Sequence, residues 1–350
     1  MVRKLMDSDD SCDDSIDLCD EDSQDNQIVE LAPYPFQVGG HNCILVYDEK
    51  TICKPLIDQE YQVYTHFPKE LDTFVPHHRG VVKVYFEKSD GDIMAFALPD
   101  NCSSTDSNRA LKDYFLTHKN KLKRRSCEAN SPPLDYDASV SKNCIMRRWE
   151  DSKFQNLDKF ILLEDITHSF KRPCVLDLKM GTRCFGDYSS PTKCERKKKR
   201  SEESTSATLG VRLCGMMVYN SEEGVYSFTD KYEGRRFNNQ EFCSAVKRFF
   251  YNGSKYRTEL FIPLNTKLKI LLEQFEKIEC YRFYCSSLLL LYDGNTDITP
   301  HIEVKMIDFA QTRVKEEPSN HHVGPDRGYI LGIKTLIKIT DELIQKFDLY

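Results

Sequence analysis

Long apolar runs are missing from this 350-residue chain. Its greasiest stretch, Leu288 to Leu291, has the length of a strand and falls far short of the roughly 18 residues of a membrane span. The N-terminus lacks the apolar core of a secretory signal. The 14 cysteines include no Cys-x-x-Cys pair and no metal-ligand spacing. They read as free thiols in a reducing compartment, cytoplasmic or nuclear, and a zinc site is not expected. Missing too are Gly-x-Gly-x-x-Gly and the Walker A pattern, and no His-Arg-Asp catalytic loop occurs. These absences argue against a dinucleotide-binding fingerprint, a P-loop enzyme and a protein kinase. What remains, 40% hydrophobic and 30% charged, suits a soluble chain long enough for one large domain or two lobes.

The net charge of -6 argues against nucleic acid as a partner, but the charge is unevenly spread. Asp, Ser and Glu dominate Asp7 to Asp25, and the remainder without that stretch is mildly basic. The body of the chain therefore suits an anion.

Residues 1–30 read as a disordered acidic tail. Cys43 to Tyr47 and Thr51 to Pro55 flank a polar turn and predict a hairpin. Asp58 to Phe67 reads as a helix. Val81 to Phe86 and Ile93 to Leu98 predict another strand pair, joined at Ser89-Asp-Gly91. Residues 100–143 are polar, lack sustained periodicity and read as a surface insertion with a short helix at Arg109 to His118. Phe160 to Glu164, Val175 to Lys179 and Gly210 to Tyr219 read as strands. Between them a polar, basic stretch at 184–204 reads as a loop. Helices are expected at Asn239 to Tyr251, Ile262 to Glu279 and Gly328 to Phe347. An antiparallel pair is expected from the segments ending at Tyr292 and Asp308. Strands first, then a mixed body, predict an α+β protein with an N-terminal lobe at 31–163 and a C-terminal lobe at 164–350.

Several residues invite chemistry. Asp177 and Lys179 alternate on a strand and so share a face. An acid and a base there can bind a hydroxyl and a phosphate, or form only a surface ion pair. Asp308 ends a hydrophobic strand, where a carboxylate suits Mg²⁺ with nucleotide phosphates or simply caps the strand. Lys54 stands in a predicted strand, as a phosphate-holding lysine does in several kinase folds, or as an edge-strand lysine. Gly39-Gly40 could admit nucleotide or serve as a turn. From Lys193 to Arg200, six of eight residues are basic: Lys193, Arg196, Lys197, Lys198, Lys199 and Arg200. That run suits a localisation signal, nucleic acid or a highly phosphorylated small molecule. The absence of interleaved aromatics argues against nucleic acid.

Taken in order, these pieces resemble the inositol phosphate kinase family, most closely its inositol hexakisphosphate kinase branch. The family hallmark Pro-x-x-x-Asp-x-Lys-x-Gly is met at every fixed position by Pro173, Asp177, Lys179 and Gly181. Gln37-Val-Gly-Gly-His41, Cys53-Lys-Pro-Leu56, Leu209 to Met216, Asp230-Lys-Tyr-Glu-Gly-Arg235, Ser286 to Gly294, Met306-Ile-Asp-Phe309 and Asp326 to Ile330 are similar to further blocks of that branch. The resemblance runs from about residue 31 to the C-terminus. It implies a two-lobed fold resembling protein kinases and ATP-grasp enzymes, with ATP in the inter-lobe cleft. It places adenine at the hinge formed by Glu164, Asp165 and Ile166, ribose at Asp177, ATP phosphates at Lys54 and Mg²⁺ at Asp308. It sets Lys179 between the γ-phosphate and the acceptor. Pro173, Gly181, Arg212 and the basic run become candidates for inositol hexakisphosphate. A multikinase or trisphosphate kinase acting on hydroxyls is the near alternative, and a non-catalytic inositol phosphate scaffold the distant one.

Overall fold

Side chains that alternate inward and outward build an N-terminal barrel. The computed structural model describes residues 28–39, 43–89, 92–99, 158–185, 190–314 and 323–349. Strands β1 (Val29–Pro33), β2 (Leu45–Asp48), β3 (Thr51–Pro55), β4 (His78–Ser89), β5 (Asp92–Pro99) and β6 (Asp158–Glu164) close in the order β1-β2-β3-β6-β4-β5. Every ladder is antiparallel. Leu31, Leu45, Cys53, Val82, Val84, Phe86, Ala95, Ala97, Phe160 and Leu162 fill its interior. Helix α1 (Asp58–Thr65) follows β3 and buries Glu60, Val63 and Tyr64.

The chain passes from β6 into a second, five-stranded antiparallel sheet. It contains β7 (Pro173–Met180), β8 (Val211–Asn220), β9 (Val225–Thr229), β11 (Ser287–Asp293) and β12 (Ile302–Ile307), in the order β12-β11-β7-β8-β9. The short strands β10 (Tyr281–Arg282) and β13 (Arg313–Val314) form a separate ribbon. Central β7 divides its residues between two faces. Cys174, Leu176, Leu178 and Met180 enter the main core with Phe242, Leu264, Leu268 and Ile333. Val175 faces the other way, with Met217, Leu289 and Leu291.

The helices that cover the first face are α5 (Asn239–Arg248), α6 (Phe261–Lys277) and α7 (Arg327–Lys346). Asn238 and Glu241 form a capping box at the start of α5, each satisfying an amide of that first turn. Three further helices, α2 (Pro191–Glu202), α3 (Ser206–Leu209) and α4 (Lys231–Arg236), lie between strands of the second sheet in sequence.

The basic stretch expected as a loop is thus helical over α2. Lys, Arg and Glu are good helix formers, Pro191 stands in the first turn where proline is tolerated, and most side chains of α2 are exposed. A helix with little to bury shows no apolar period, which is why it read as a loop. The other expected helices and strands are present with ends shifted by a few residues. The tail expected at 1–30 ends earlier, because Val29 and Glu30 already stand in β1 and pair with β5; its first 27 residues, the insertion with its Arg109–His118 helix, and the tip of the Ser89-Gly91 turn lie outside the described residues.

Backbone contact fixes the end of β7. Gly181, the last residue of the hallmark motif, has φ +87° and donates its N–H to Gly210 O at 2.8 Å. Gly210 is itself left-handed at φ +66°, and a Cβ there would lie 2.6 Å from Gly332 N and 2.8 Å from Gly328 O on α7. A left-handed non-glycine residue costs about 1–3 kcal/mol, before any clash. Gly210→Ala is therefore expected to cost about 2 kcal/mol or more, measured by denaturant or thermal unfolding. An unchanged midpoint would contradict this close approach.

Candidate active site

The site lies where the barrel meets the outward face of the second sheet. Lys54 on β3 is buried, and its Nζ donates to Glu60 Oε1 at 2.7 Å and to Asp308 Oδ1 at 3.2 Å. Lys179 Nζ lies 3.6 Å from Asp308 Oδ2. One carboxylate, a third of it open to solvent, is therefore shared by a lysine from each lobe. Burial works to raise the Asp308 carboxyl, but Lys54 and Lys179 outweigh it and hold it below its ordinary value. Burial likewise works against the Lys54 ammonium, and Glu60 and Asp308 reverse the effect and raise it.

Asp308 leaves β12 with φ +66°, a left-handed conformation that aspartate tolerates better than most residues. Phe309 locks the turn. Its ring lies 5.1 Å from those of Tyr64 and Phe67 and 5.9 Å from that of Phe283, and its N–H donates to Glu60 Oε1 at 3.0 Å. Glu60 thus holds both Lys54 and the strand end that carries Asp308. Sequence reasoning missed Glu60. Its available signal was a glutamate six residues after the lysine, in the first turn of the next helix, the arrangement of the lysine–glutamate pair in protein kinases.

Lys179 Nζ also donates to Cys285 O at 2.5 Å, which fixes its head group beside Asp308. Asp177 sits two residues away on the same face. It is buried, and its Oδ1 has no hydrogen-bond partner. Such an orphaned oxygen needs an explanation, and a ligand hydroxyl would satisfy it. Gly39 comes so close that a Cβ there would lie 2.1 Å from Asp177 Oδ2. Burial raises the Asp177 carboxyl, Lys179 opposes that rise, and Asp308 adds to it.

An apolar cluster adjoins this group, built from Val175, Met217, Leu289 and Leu291 with Phe36, Val38 and Ile166 packed against them. At its edge runs the hinge. Glu164 N–H donates to His77 O and Asp165 N–H to Lys50 O. The Asp165 carboxylate accepts from Tyr34 Oη, Thr167 N and Thr167 Oγ1, so its side chain fixes the hinge. Ile166 N–H meets no carbonyl among the described residues.

A cleft of 490 Å³ is lined by Arg196, Lys199, Arg200, Glu203, Arg235 and Arg236, and its Arg235 feels the charge of Arg212, the cross-strand partner of Lys179. Burial and the neighbouring Arg200 and Arg212 hold the Arg235 guanidinium below its ordinary value. Like charges crowded this way favour a polyanion. Within the basic run, Arg196, Lys199 and Arg200 face the cleft. Lys198 and Lys199 make exposed ion pairs with Glu202 and Glu203 at 4.0 and 3.8 Å, a kind worth little in water. Lys197 is half-buried, and its charge bears on Cys285. The side chain of Lys193 lies outside the described set. Arg212, the cross-strand partner of Lys179, is buried and donates to Cys184 Sγ at 2.9 Å and Ser206 Oγ at 3.1 Å. Arg235 and Arg236 were not among the expected site residues. Pro173 stands at the far end of β7, about 20 Å from Lys179 at strand rise, and the fold does not bring it to the cleft.

A two-lobed fold with a strand lysine paired to a helix glutamate, a strand-end carboxylate shared with a second lysine and an apolar cluster at the hinge defines a phosphotransferase of the kinase type. A family model described as inositol polyphosphate kinase matches residues 160–341, and the chain belongs to that family. It is similar to inositol hexakisphosphate kinase 1 of Mus musculus, 34% identical over an alignment covering 90% of this chain and 94% of the relative. Inositol hexakisphosphate kinase 2 of Oryctolagus cuniculus is also 34% identical, over 89% and 94%. Among solved structures, inositol phosphate multikinase Ipk2 from S. cerevisiae, in complex with ADP and Mn²⁺, shares the fold with TM-score 0.56 and 20% identity. That match covers 84% of this chain and 99% of the other.

Burial makes the Asp177 carboxylate a destabilising charge at neutral pH. Its neutral form is favoured in the fold, so ionisation at neutral pH costs stability, and the cost disappears once pH falls below the ordinary value of 3.8. Asp177→Asn is expected to raise the thermal midpoint of the ligand-free protein at pH 7, with the gain fading towards pH 3.8. A lowered midpoint at pH 7 would contradict the buried-charge account.

Proposed function

We propose that this chain transfers the γ-phosphoryl group of ATP to a phosphate of inositol hexakisphosphate, and also of the pentakisphosphate, giving a diphosphoinositol. The observation that carries this reading is Asp308 held between Lys54 and Lys179, and the arginine-lined cleft supports it. Adenine packs against the apolar cluster and meets backbone at Glu164 and Ile166. The ribose hydroxyls satisfy Asp177. Lys54 contacts the ATP phosphates, Lys179 stands between donor and acceptor, and the α2 and α4 cations receive the inositol phosphates. Arg212, the cross-strand partner of Lys179, shares the face of this site. Localisation in the cytoplasm or nucleus fits the reading.

A divalent ion fits the donor set. Asp308 offers a hard, partly exposed carboxylate, and no cluster of three or more His, Cys, Asp or Glu suited to a metal occurs among the described residues. Mg²⁺ is typically bound through one or two carboxylates plus nucleotide phosphates, so we assign Mg²⁺ to Asp308. Bound with ATP, it neutralises charge on the transferring phosphates.

The acceptor decides what the protein must supply. A phosphate with a second pKa of about 6 arrives largely ionised, so no base needs to activate it. The obstacle is repulsion between two anions. Lys54, Lys179 and the cleft cations offset it by positioning and by fixed positive charge.

Incubating the protein with ATP and each inositol phosphate in turn, then resolving the products, tests the assignment. Diphosphoinositol from the hexakisphosphate is expected, and phosphorylation confined to ring hydroxyls would move the protein to the multikinase type. Lys179→Ala is expected to lower turnover by about 10²–10³-fold or more with the fold retained. Wild-type turnover in that folded variant would remove Lys179 from the chemistry. Asp308→Asn should raise the KM for Mg–ATP by about tenfold or more, equivalent to losing at least ~1.4 kcal/mol. An unchanged Mg²⁺ titration would take Asp308 out of the site.

A further inference from the structure

The cleft between α2 and α4 holds more positive charge than the residues around it neutralise. Arg196, Lys199, Arg200, Arg235 and Arg236 line it against one acid, Glu203. Glu203 already lies 3.8 Å from Lys199 Nζ. Among the described residues none of the four arginines makes an ion pair. Arg235 instead lies 5.6 Å from the centre of the Tyr232 ring, which is itself exposed. Cations gathered without counter-charges repel one another and draw an anion.

The start of the chain carries the opposite imbalance. Asp7 to Asp25 contains ten acidic residues and no basic one. With a net charge of -6 overall, the rest of the chain is therefore net positive. Chain length allows the two to meet. Ile28 packs with Phe96 and Leu98 on the barrel. Gly39, eleven residues further on, already lies against Asp177, so Ile28 is within about 40 Å of that residue. From Asp7 to Ile28 the chain can span up to about 70 Å. A tether of this kind holds a segment at an effective concentration on the order of millimolar.

We propose that the acidic segment Asp7 to Asp25 docks as a polyanion in the α2–α4 cleft of its own chain and competes there with the inositol phosphate. The occupant is the chain's own segment because the tether supplies it locally, whereas a free acidic peptide has to arrive from solution. Single exposed ion pairs are worth little. Several carboxylates of one segment against four unpaired arginines and a lysine form a network, and a network is the case in which surface charge counts. The competition rests on the inositol phosphate kinase reading, whereas the docking does not.

The chemistry of the two anions sets the outcome of the contest. Each Asp or Glu of the segment brings one charge, spread along an extended chain. Each phosphate monoester of the substrate brings about 1.5 to 2 charges at neutral pH and three acceptor oxygens, which arginine meets bidentately. The substrate therefore displaces the segment as its concentration rises. The segment raises the KM for the acceptor and leaves kcat unchanged, because it leaves Lys54, Lys179 and Asp308 untouched. Being electrostatic and exposed, the docking weakens with salt.

The test has two arms on the full chain. In the first, a carbodiimide joins carboxylates to amines in direct contact, and mass spectrometry maps the joined peptides in a mixture of isotope-labelled and unlabelled chains. A cross-link from the acidic segment to Lys199, the lysine of the cleft, is expected within single chains at low salt. It should be lost at about 0.5 M salt, where screening leaves a Debye length of only a few ångströms. In the second arm, the nine aspartates from Asp7 to Asp25 become asparagine together with Glu21→Gln. The KM for inositol hexakisphosphate is expected to fall threefold or more at unchanged kcat, and the segment added back as a synthetic peptide should raise it again. The proposal is overturned if Lys199 is not joined to the segment, if the cross-link joins labelled to unlabelled chains, or if the two proteins share one KM. Parent protein inactive on inositol hexakisphosphate would sink the kinase reading, and the cross-link map would still decide the docking.

Discussion

Asp308 is the point at which the two lobes share charge. Its carboxylate meets Lys54 from the barrel and Lys179 from the second sheet, and Glu60 holds Lys54 from α1. The Lys54–Glu60 pair is almost completely buried. Removing one partner of such a pair costs about 3–5 kcal/mol, because the other charge is left without compensation. The partly exposed contacts of Asp308 are worth less individually. Their value lies in geometry, since they hold three charged groups within reach of one another before any nucleotide arrives. Glu60 adds a second constraint by accepting the Phe309 N–H, so the same residue fixes the lysine and the strand end opposite it.

The second constraint is the parity of β7. With a side-chain period of two, one strand serves a helix-packed core with Cys174, Leu176, Leu178 and Met180 and serves the cleft with Val175, Asp177 and Lys179. A slip of one residue would exchange leucines for the ionisable groups, and burial on the core side sets the register. The approach of Gly39 to Asp177, and of Val38 to Gly215, where a Cβ would come within 1.9 Å of a carbonyl oxygen, seats the β1–β2 segment directly on this face. Close backbone contact of that kind is a position only glycine fills.

How much of this the sequence disclosed depends on whether a residue's role is local. Asp177 and Lys179 share a face by strand geometry alone, and Asp308 stood at a strand end because the apolar pattern stopped there. The barrel's hairpins announced themselves through alternation and polar turns. Glu60 did not, because its partners Lys54 and Asp308 converge only in three dimensions. Helix α2 was misread because an exposed helix carries no apolar stripe. The same polarity hid which cations face the cleft, since facing depends on where α4 brings Arg235 and Arg236. The resemblance made Arg212 a candidate substrate contact; it shares the face of its cross-strand partner Lys179, but its guanidinium is buried against Cys184 and Ser206.

The electrostatics also bear on which acceptor suits the site. A general base works best when its pKa lies near the working pH. Asp308 is held below its ordinary value by two lysines, so it is a poor proton acceptor and a good fixed anion. Asp177 is raised, but Gly39 covers it, and its orphaned oxygen faces the ribose side in the proposed arrangement. Neither carboxylate is well placed to take a proton from a ring hydroxyl. A phosphate acceptor makes no such demand and instead adds negative charge, which the arginines of α2 and α4 are crowded together to receive. The balance of a depressed carboxylate against surplus cations therefore favours an acceptor that arrives already ionised and heavily charged.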